Sequence, residues 1–414
     1  MGQPRPTMTF KRDLPAVVMA IGLATVPDQV KAQGSVADVQ QNKPTISSSD
    51  ERQTATSESE WKLGGFLDVG YIKSFNSPSN HLFRSRGTTP RVDELDVNMG
   101  GAYLRKNTSD ASLWGLELTV HAGEDSKIFG FSATAPNVGG ANWLRHLGPT
   151  NFSGVAPVGA GLTIQGGIFS SFIGYDSLYT KDNFTYTRPW TADFTPYLML
   201  GVNAGYAISE KVALTALIVN GYWHLARAND VPSVGGQIAY KPTGRITAKQ
   251  TLLYGPHQSN TSLKYWRFLS DSIVEGKARA VTTAIEFQVS SELVDAAQRP
   301  RALWVAVQVP VRWAVQGPWS LTVRPEFAWD RDGRWTTFEQ SVKAMTTTLE
   351  HSIRFRQAQT ILRVEHRYDN SKGRGGGFFK DLEPGVVGLT PKQHLLVFGW
   401  ILTFDASPRQ RLGI

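Results

Sequence analysis

The stretch "SIRFRQAQTILRVEHRYDN" (residues 352–370) sets an arginine at nearly every second position, with apolar or aromatic residues between. Successive side chains of a β-strand point to opposite faces of a sheet, so such a segment has one charged face and one greasy face. Leu349, Ile353, Phe355, Leu362, Val364 and Tyr368 fall on the greasy face; Glu350, Arg354, Arg356, Arg363, Glu365 and Arg367 fall on the other. Turning the charged face toward lipid would place at least four arginines in hydrocarbon, at roughly 2–4 kcal/mol each near the midplane. The greasy face therefore meets lipid, and the charged face meets a polar interior. His351 and His366 share the lipid-facing parity and belong near the interface.

The same period of two runs along the chain from Trp61 onward. "FLDVGYIK" sets Leu67, Val69 and Tyr71 against Asp68 and Gly70, and "ELDVNMGGAY" sets Leu95, Val97 and Met99 against Glu94, Asp96 and Asn98. "WGLELTV", "RALWVAVQVPVRW" and "LTVRPEFAWD" alternate alike, with Glu117, Arg312, Arg324 and Glu326 on the polar side. Short links at 106–110, 207–211, 241–245, 275–278, 316–317 and 356–359 alternate with longer ones at 75–90, 123–150, 172–193, 222–231, 291–300, 331–342 and 370–392. Strand 4 is placed near 151–158. Counting between breaks predicts about sixteen strands, an even number that suits a transmembrane antiparallel up-and-down β-barrel.

A soluble β-sandwich would alternate as well. These strands are longer than the usual five or six residues, and their polar face is charged throughout, which a packed core between two sheets would not tolerate. The apolar series also ends repeatedly in aromatics: Tyr71, Tyr103, Tyr222, Tyr240, Tyr254, Trp313, Trp329 and Tyr368. Such rings settle at membrane interfaces. The reading is all-β.

Composition agrees. The 414 residues carry 43 basic and 35 acidic side chains, a formal charge of +8 spread along the chain, which argues against nucleic acid. Cysteine is absent, removing disulfide scaffolds and thiol nucleophiles, and 39 glycines supply turns. Arg5, Lys11 and Arg12 precede an apolar run from Leu14 to Val26, and Val30 and Ala32 stand before a cut. This predicts a signal peptide over 1–32, followed by a polar lead-in at 33–60, a barrel over 61–405 and a short tail at 406–414. Export through a signal peptide sets the expected location as the bacterial outer membrane.

The last apolar strand is "HLLVFGWILTF", and Gly399, Leu402 and Phe404 resemble the terminal signal by which outer-membrane barrels are handed to their assembly machinery. Two departures are Val397, where that signal usually has a polar residue, and the tail "DASPRQRLGI" beyond Phe404. More broadly, "GGFLDVGYIKSFNSP", "ELDVNMGGAYL", "VNGY" and above all "PVGAGLTIQGGIFSSFIGYDSLYTKDNFTYTRPW" (157–190) resemble the putative β-barrel porin-2, OmpL-like family. In the last of these, Gly166, Gly167, Gly174, Tyr175, Asn183, Tyr186, Thr187 and Arg188 match the family's pattern. The resemblance implies an outer-membrane pore for small hydrophilic solutes without naming the solute; no Gly-rich phosphate loop or metal-ligand cluster appears in the sequence, so no cofactor is implied. Its partners would be outer-membrane lipid and the assembly machinery; general porins of about this strand number often form homo-oligomers.

The candidate pore lining follows from the polar face. Asp68, Glu94, Asp96 and Glu117 come from early strands, and Arg312, Arg324, Glu326, Glu350, Arg354, Arg356, Arg363, Glu365 and Arg367 from later ones. Such clusters would make a transverse field, and an arginine excess would favour anions. A salt-bridged mesh bracing the wall accounts for the same residues, since the last strand of a closed barrel pairs with the first. The loop at 172–193 is the third on its side and offers Asp176, Lys181, Asp182, Arg188 and Asp193 as a constriction; the other reading is an ordered surface loop.

The rival functions are an embedded enzyme and a closed barrel with a binding or structural role. Hydrolysis needs a nucleophile or activated water beside a histidine and a carboxylate. The eight histidines are scattered, and His121 near Glu117 is the best pair on offer. No metal-ligand cluster stands out.

Overall fold

The computed structural model describes residues 61–406, apart from 110–111, 129–140, 223–224, 227–228, 259–261 and 295–300. The expected signal peptide, the lead-in and the tail beyond Ala406 lie outside the described residues. In chain order the strands are β1 (Trp61–Ser74), β2 (Leu95–Lys106), β3 (Trp114–Ala122), β4 (Thr150–Ala156), β5 (Leu162–Ser170) and β6 (Leu198–Ala207). There follow β7 (Val212–Val219), β8 (Ser233–Thr243), β9 (Ile246–Pro256), β10 (Trp266–Ala278), β11 (Val281–Leu293) and β12 (Arg301–Gln308). The last are β13 (Val311–Gln316), β14 (Trp319–Asp330), β15 (Gln340–Phe355), β16 (Ala358–Lys372), β17 (Phe378–Glu383), β18 (Val386–Thr390) and β19 (Lys392–Ala406).

Neighbouring strands pair antiparallel, and β19 pairs with both β16 and β1, which closes the ring. β12 and β13 each pair with β11 and β14, so they are one strand interrupted at Val309–Pro310, where proline has no N–H for the ladder. The seventeen segments of the sheet thus form a closed barrel of sixteen strands. β17 and β18 pair only with each other, as a hairpin within the last long loop.

The strand ends that flank the long connections (75–94, 123–149, 171–197, 220–232, 257–265, 294–300, 331–339 and 373–391) lie at one end of the barrel, and the strand ends joined by short turns lie at the other. Residues 275–278, expected as a turn, instead complete β10. The reversal comes at Arg279–Ala280, where Arg279 adopts φ +51°. Strand 4 runs from Thr150 to Ala156.

The two faces are inverted relative to a soluble protein. Arg363, Glu365 and Arg367 are at most 1% exposed, while Val364 between them is 45% exposed. Trp61, Trp114 and Phe152 form an aromatic row near the short turns, and Tyr254 packs on Trp266 near the long loops. These are the two girdles of a transmembrane barrel.

Three residues read as outward-facing turn the other way. The β1–β2 register shifts between Asp68↔Met99 and Val69↔Val97, leaving Asn98 as an unpaired extra residue. A bulge of one residue reverses the parity beyond it. Met99 is therefore buried and Tyr103 lines the lumen. Tyr222 lies outside the strands; it is buried, with the Arg267 guanidinium 4.5 Å from its ring centroid and its hydroxyl donating to Phe194 O. A fourth correction concerns Arg356, which sits at φ +53° in the two-residue turn between β15 and β16 and does not line the wall.

Candidate functional site: the barrel lumen

The third long loop (171–197) lies inside the barrel. Its backbone is largely irregular, so its N–H and C=O groups need partners from the wall. Wall carboxylates and arginines provide them. Glu365 accepts from Tyr186 N at 2.6 Å and Thr187 N at 3.0 Å. Glu326 accepts from Trp190 N at 2.7 Å, and Asp271 of β10 accepts from Gly174 N at 2.8 Å. On the donor side, Arg363 reaches Thr180 O at 2.9 Å and Thr185 O at 3.1 Å, while Arg367 reaches Arg188 O at 3.1 Å.

The arginines are paired as well as docked. Arg363 and Arg312 both engage Glu350, at 2.8 and 3.0 Å. Arg324 meets Glu326 at 3.0 Å, and Arg367 meets Asp369 at 2.8 Å and Glu326 at 3.2 Å. A second layer joins the loops themselves: Arg86 of the first loop binds Asp193 at 2.7 Å, and Arg188 lies 3.4 Å from Asp125 of the second. Ion pairs this buried persist because each partner keeps the other from standing as an isolated charge.

Tyr186 is the anchor. Its hydroxyl donates to Asp68 at 2.7 Å and accepts from Asn98. Gly70 of β1 and Gly399 of β19 are register partners across the closing seam, and a Cβ on either would overlap the Tyr186 side chain. Two facing glycines thus open the slot through which the tyrosine reaches Asp68. An apolar cluster around it includes Phe83, Trp190, Trp304 and Phe378 and fills this side of the lumen.

The other side is open. A cavity of about 470 Å³ lies between the third loop and the wall, reaching the short-turn end at Asn107 and Thr108. A smaller one of about 160 Å³ shares Gly174, Lys249 and Ile273 with it. A closed sixteen-strand barrel, an inward-folded third loop and a polar cavity beside that loop make this a porin-like arrangement.

The family model described as putative beta-barrel porin-2, OmpL-like, matches residues 60–404. The chain belongs to that family. No curated protein matches it. Among solved structures it is similar to the anion-selective porin from Comamonas acidovorans, at 10% identity and TM-score 0.53 over 84% of this chain and 100% of that one. It is also similar to Salmonella typhi OmpF in complex with daunomycin (10%, TM-score 0.53, 84% and 98%) and to OmpT of Vibrio cholerae (10%, TM-score 0.50, 85% and 99%). At such identity the likeness speaks to fold alone. Family and fold together make the chain a porin-like barrel of the bacterial outer membrane.

Within this family member the residues singled out in the sequence divide into three groups. Asp68, Arg312, Arg324, Glu326, Glu350, Arg363, Glu365 and Arg367 face inward and hold the loop or one another. Glu117 faces the open cavity, where it pairs with Arg105, a residue whose inward parity depends on the bulge at Asn98. Glu94 and Asp96 sit at the long-loop rim, with Glu94 3.7 Å from His81, and Arg354 has inward parity at the exposed short-turn end. Of the loop residues, Lys181 and Asp182 pair at 2.8 Å and face the cavity, whereas Arg188 and Asp193 are spent on the buried ion pairs. Asp176 accepts from Gln308 at 2.7 Å. His121 does not meet Glu117; its ring nitrogens bond Tyr179 Oη at 3.0 Å and Arg145 O at 2.8 Å. Gly399 faces inward in the Tyr186 slot, and Leu402 and Phe404 share the opposite parity. The Gly70–Gly399 pairing was legible only as two glycines in two strands; nothing in the sequence joined them.

Proposed function

We propose that this barrel is a passive diffusion channel whose water path runs between the third loop and the wall formed by β2 to β10, and that the path prefers anions. One observation carries the reading: the charge of the open side. Lys62, Arg105, Lys106, Lys181, Lys241, Arg245, Lys249 and Lys277 line its two cavities against Glu117, Asp182, Glu275 and Asp405. The excess is positive and lies where water has access. Arg312, Arg324, Arg363 and Arg367 are matched by wall carboxylates, and the last three hold the loop, so they set the position of the path rather than its sign. Small hydrophilic anions are the solutes this lining suits. Gly399, Leu402 and Phe404 keep a second reading, as the terminal segment offered to the assembly machinery.

The test is single-channel conductance of the purified full chain in a planar bilayer under a salt gradient. Discrete open steps with a reversal potential on the anion side are expected, and the double variant Arg105→Glu/Lys249→Glu should move that potential toward cations. Cation preference in the unaltered chain overturns the selectivity. A silent barrel that remains heat-modifiable overturns the channel and favours a closed barrel with a binding or structural role, to which the apolar packing of Phe83, Trp190, Trp304 and Phe378 in the lumen would then belong.

A further inference from the structure

The outward face of β15, β16 and β19 changes character toward the long loops. Leu349, Val364 and Phe398 form one apolar rung in register across the three strands. One rung up are Thr347, His366 and Leu396, and above them Met345, Tyr368 and His394. His366 Nε2 lies 3.2 Å from His394 Nδ1, the two rings stack at 28°, and the Tyr368 ring centroid is 4.7 Å from that of His394. Together they make an aromatic shelf. The next rung is Lys343, Asn370 and Lys392, and Lys372 stands one step beyond it.

These three lysines are exposed. Lys73, on the neighbouring β1, is held by Asp93 at 2.8 Å, but Lys343, Lys372 and Lys392 form no ion pair among the described residues. Lys343 and Lys392 are two strands apart, about 10 Å, so their ammonium groups can converge on one anion over Asn370.

We propose that this rim is a binding site for the phosphorylated glycolipid of the outer leaflet. From the membrane middle outward, the wall presents hydrocarbon-compatible side chains, then stacked rings, then three unmatched cations. An acylated, phosphorylated sugar presents acyl chains, sugar faces and phosphate in the same order. Sugar rings pack on aromatic faces, and lysines near a membrane surface attract anionic headgroups. The site lies on the outer wall and does not depend on what passes through the lumen.

The experiment is native mass spectrometry of the detergent-purified full chain with three probes: bisphosphorylated lipid A, the same lipid with its phosphates removed, and phosphatidylglycerol. Unaltered protein should retain bisphosphorylated lipid A. The triple variant Lys343→Gln/Lys372→Gln/Lys392→Gln should bind it about a hundredfold more weakly, each lysine contributing about fivefold. Heat-modifiable migration shows that the variant is folded, and the single variant Lys392→Glu provides the same comparison should the triple one fail to assemble. Equal retention by variant and unaltered protein overturns the site. So does equal binding of the dephosphorylated lipid, which would mean acyl contacts alone, or of phosphatidylglycerol, which would mean a generic anionic surface. Displacement by millimolar inorganic phosphate would assign the cluster to a free anion and likewise overturn the lipid.

Discussion

Gly399 shows how much one missing side chain can decide. With Gly70 it leaves the space that Tyr186 occupies on its way to Asp68, so Gly399→Val must either expel the ring or push the closing strands apart. Overpacking of this kind costs about 1–3 kcal/mol. The expected outcome is faster amide exchange at Tyr186 and Thr187 together with larger, noisier conductance steps; unchanged exchange would mean that the loop does not depend on the slot. Asp125 poses a different question at the same scale. Burial pushes its carboxyl up to about 7, against the opposing pull of Arg188 and of the Thr89 N–H that it accepts at 2.6 Å. A carboxyl raised on folding binds its proton more tightly in the docked state. Its contribution is therefore full below the ordinary carboxylate range and is lost as pH rises through about 7. The contact between the first and second loops should be firmer at pH 5 than at pH 8, read as protection of the Thr89 amide after correction for intrinsic exchange.

At the scale of elements, the third loop is held by side chains that belong to strands. Glu365 accepts from two loop amides and from the Thr187 and Thr348 hydroxyls, while Arg363 donates to three loop carbonyls. Truncating one member of such a set leaves its partner buried and unmatched, at roughly 3–5 kcal/mol. Arg363→Ala is thus expected to loosen the loop more than Arg354→Ala, whose side chain lies at the exposed end of β15. Limited proteolysis within 171–197 would show the difference, and equal cleavage of the two variants would contradict it. The alternating Arg and Glu pattern that revealed the strand carried both possibilities, a lined pore and a braced wall. Only the inward-folded loop turned most of it into bracing, because a loop of irregular backbone must find donors and acceptors where it lands.

At the scale of the whole molecule the lumen is divided. One side is packed and ion-paired; the other is a basic cavity open to water. The two should respond differently to salt. Screening acts on charges exposed to solvent, with a Debye length falling from about 10 Å at 0.1 M to about 3 Å at 1 M, and barely reaches buried pairs. The ratio of anion to cation permeability should therefore fall toward unity between 0.1 and 1 M potassium chloride, while the temperature of heat modification moves by only a few degrees. A selectivity that survives 1 M salt would place the deciding charges among the buried arginines instead.

The period of two, the sign of its charged face and the alternation of short and long connections determined the barrel, its inside and its outside, because lipid penalises every charge turned toward it. That logic is local, and it holds strand by strand. It failed where one extra residue at Asn98 reversed the parity of Tyr103 and Arg105, since a bulge leaves no mark on an apolar–polar count. Tertiary structure alone decided which inward charges meet water. Arg324, Arg363 and Arg367 are sealed beneath a loop from the other half of the chain, and Lys249 and Arg105 are left facing the cavity. Parity assigns a side chain to a face; what covers that face depends on closure of β1 on β19 and on where a loop more than a hundred residues away finds partners for its backbone.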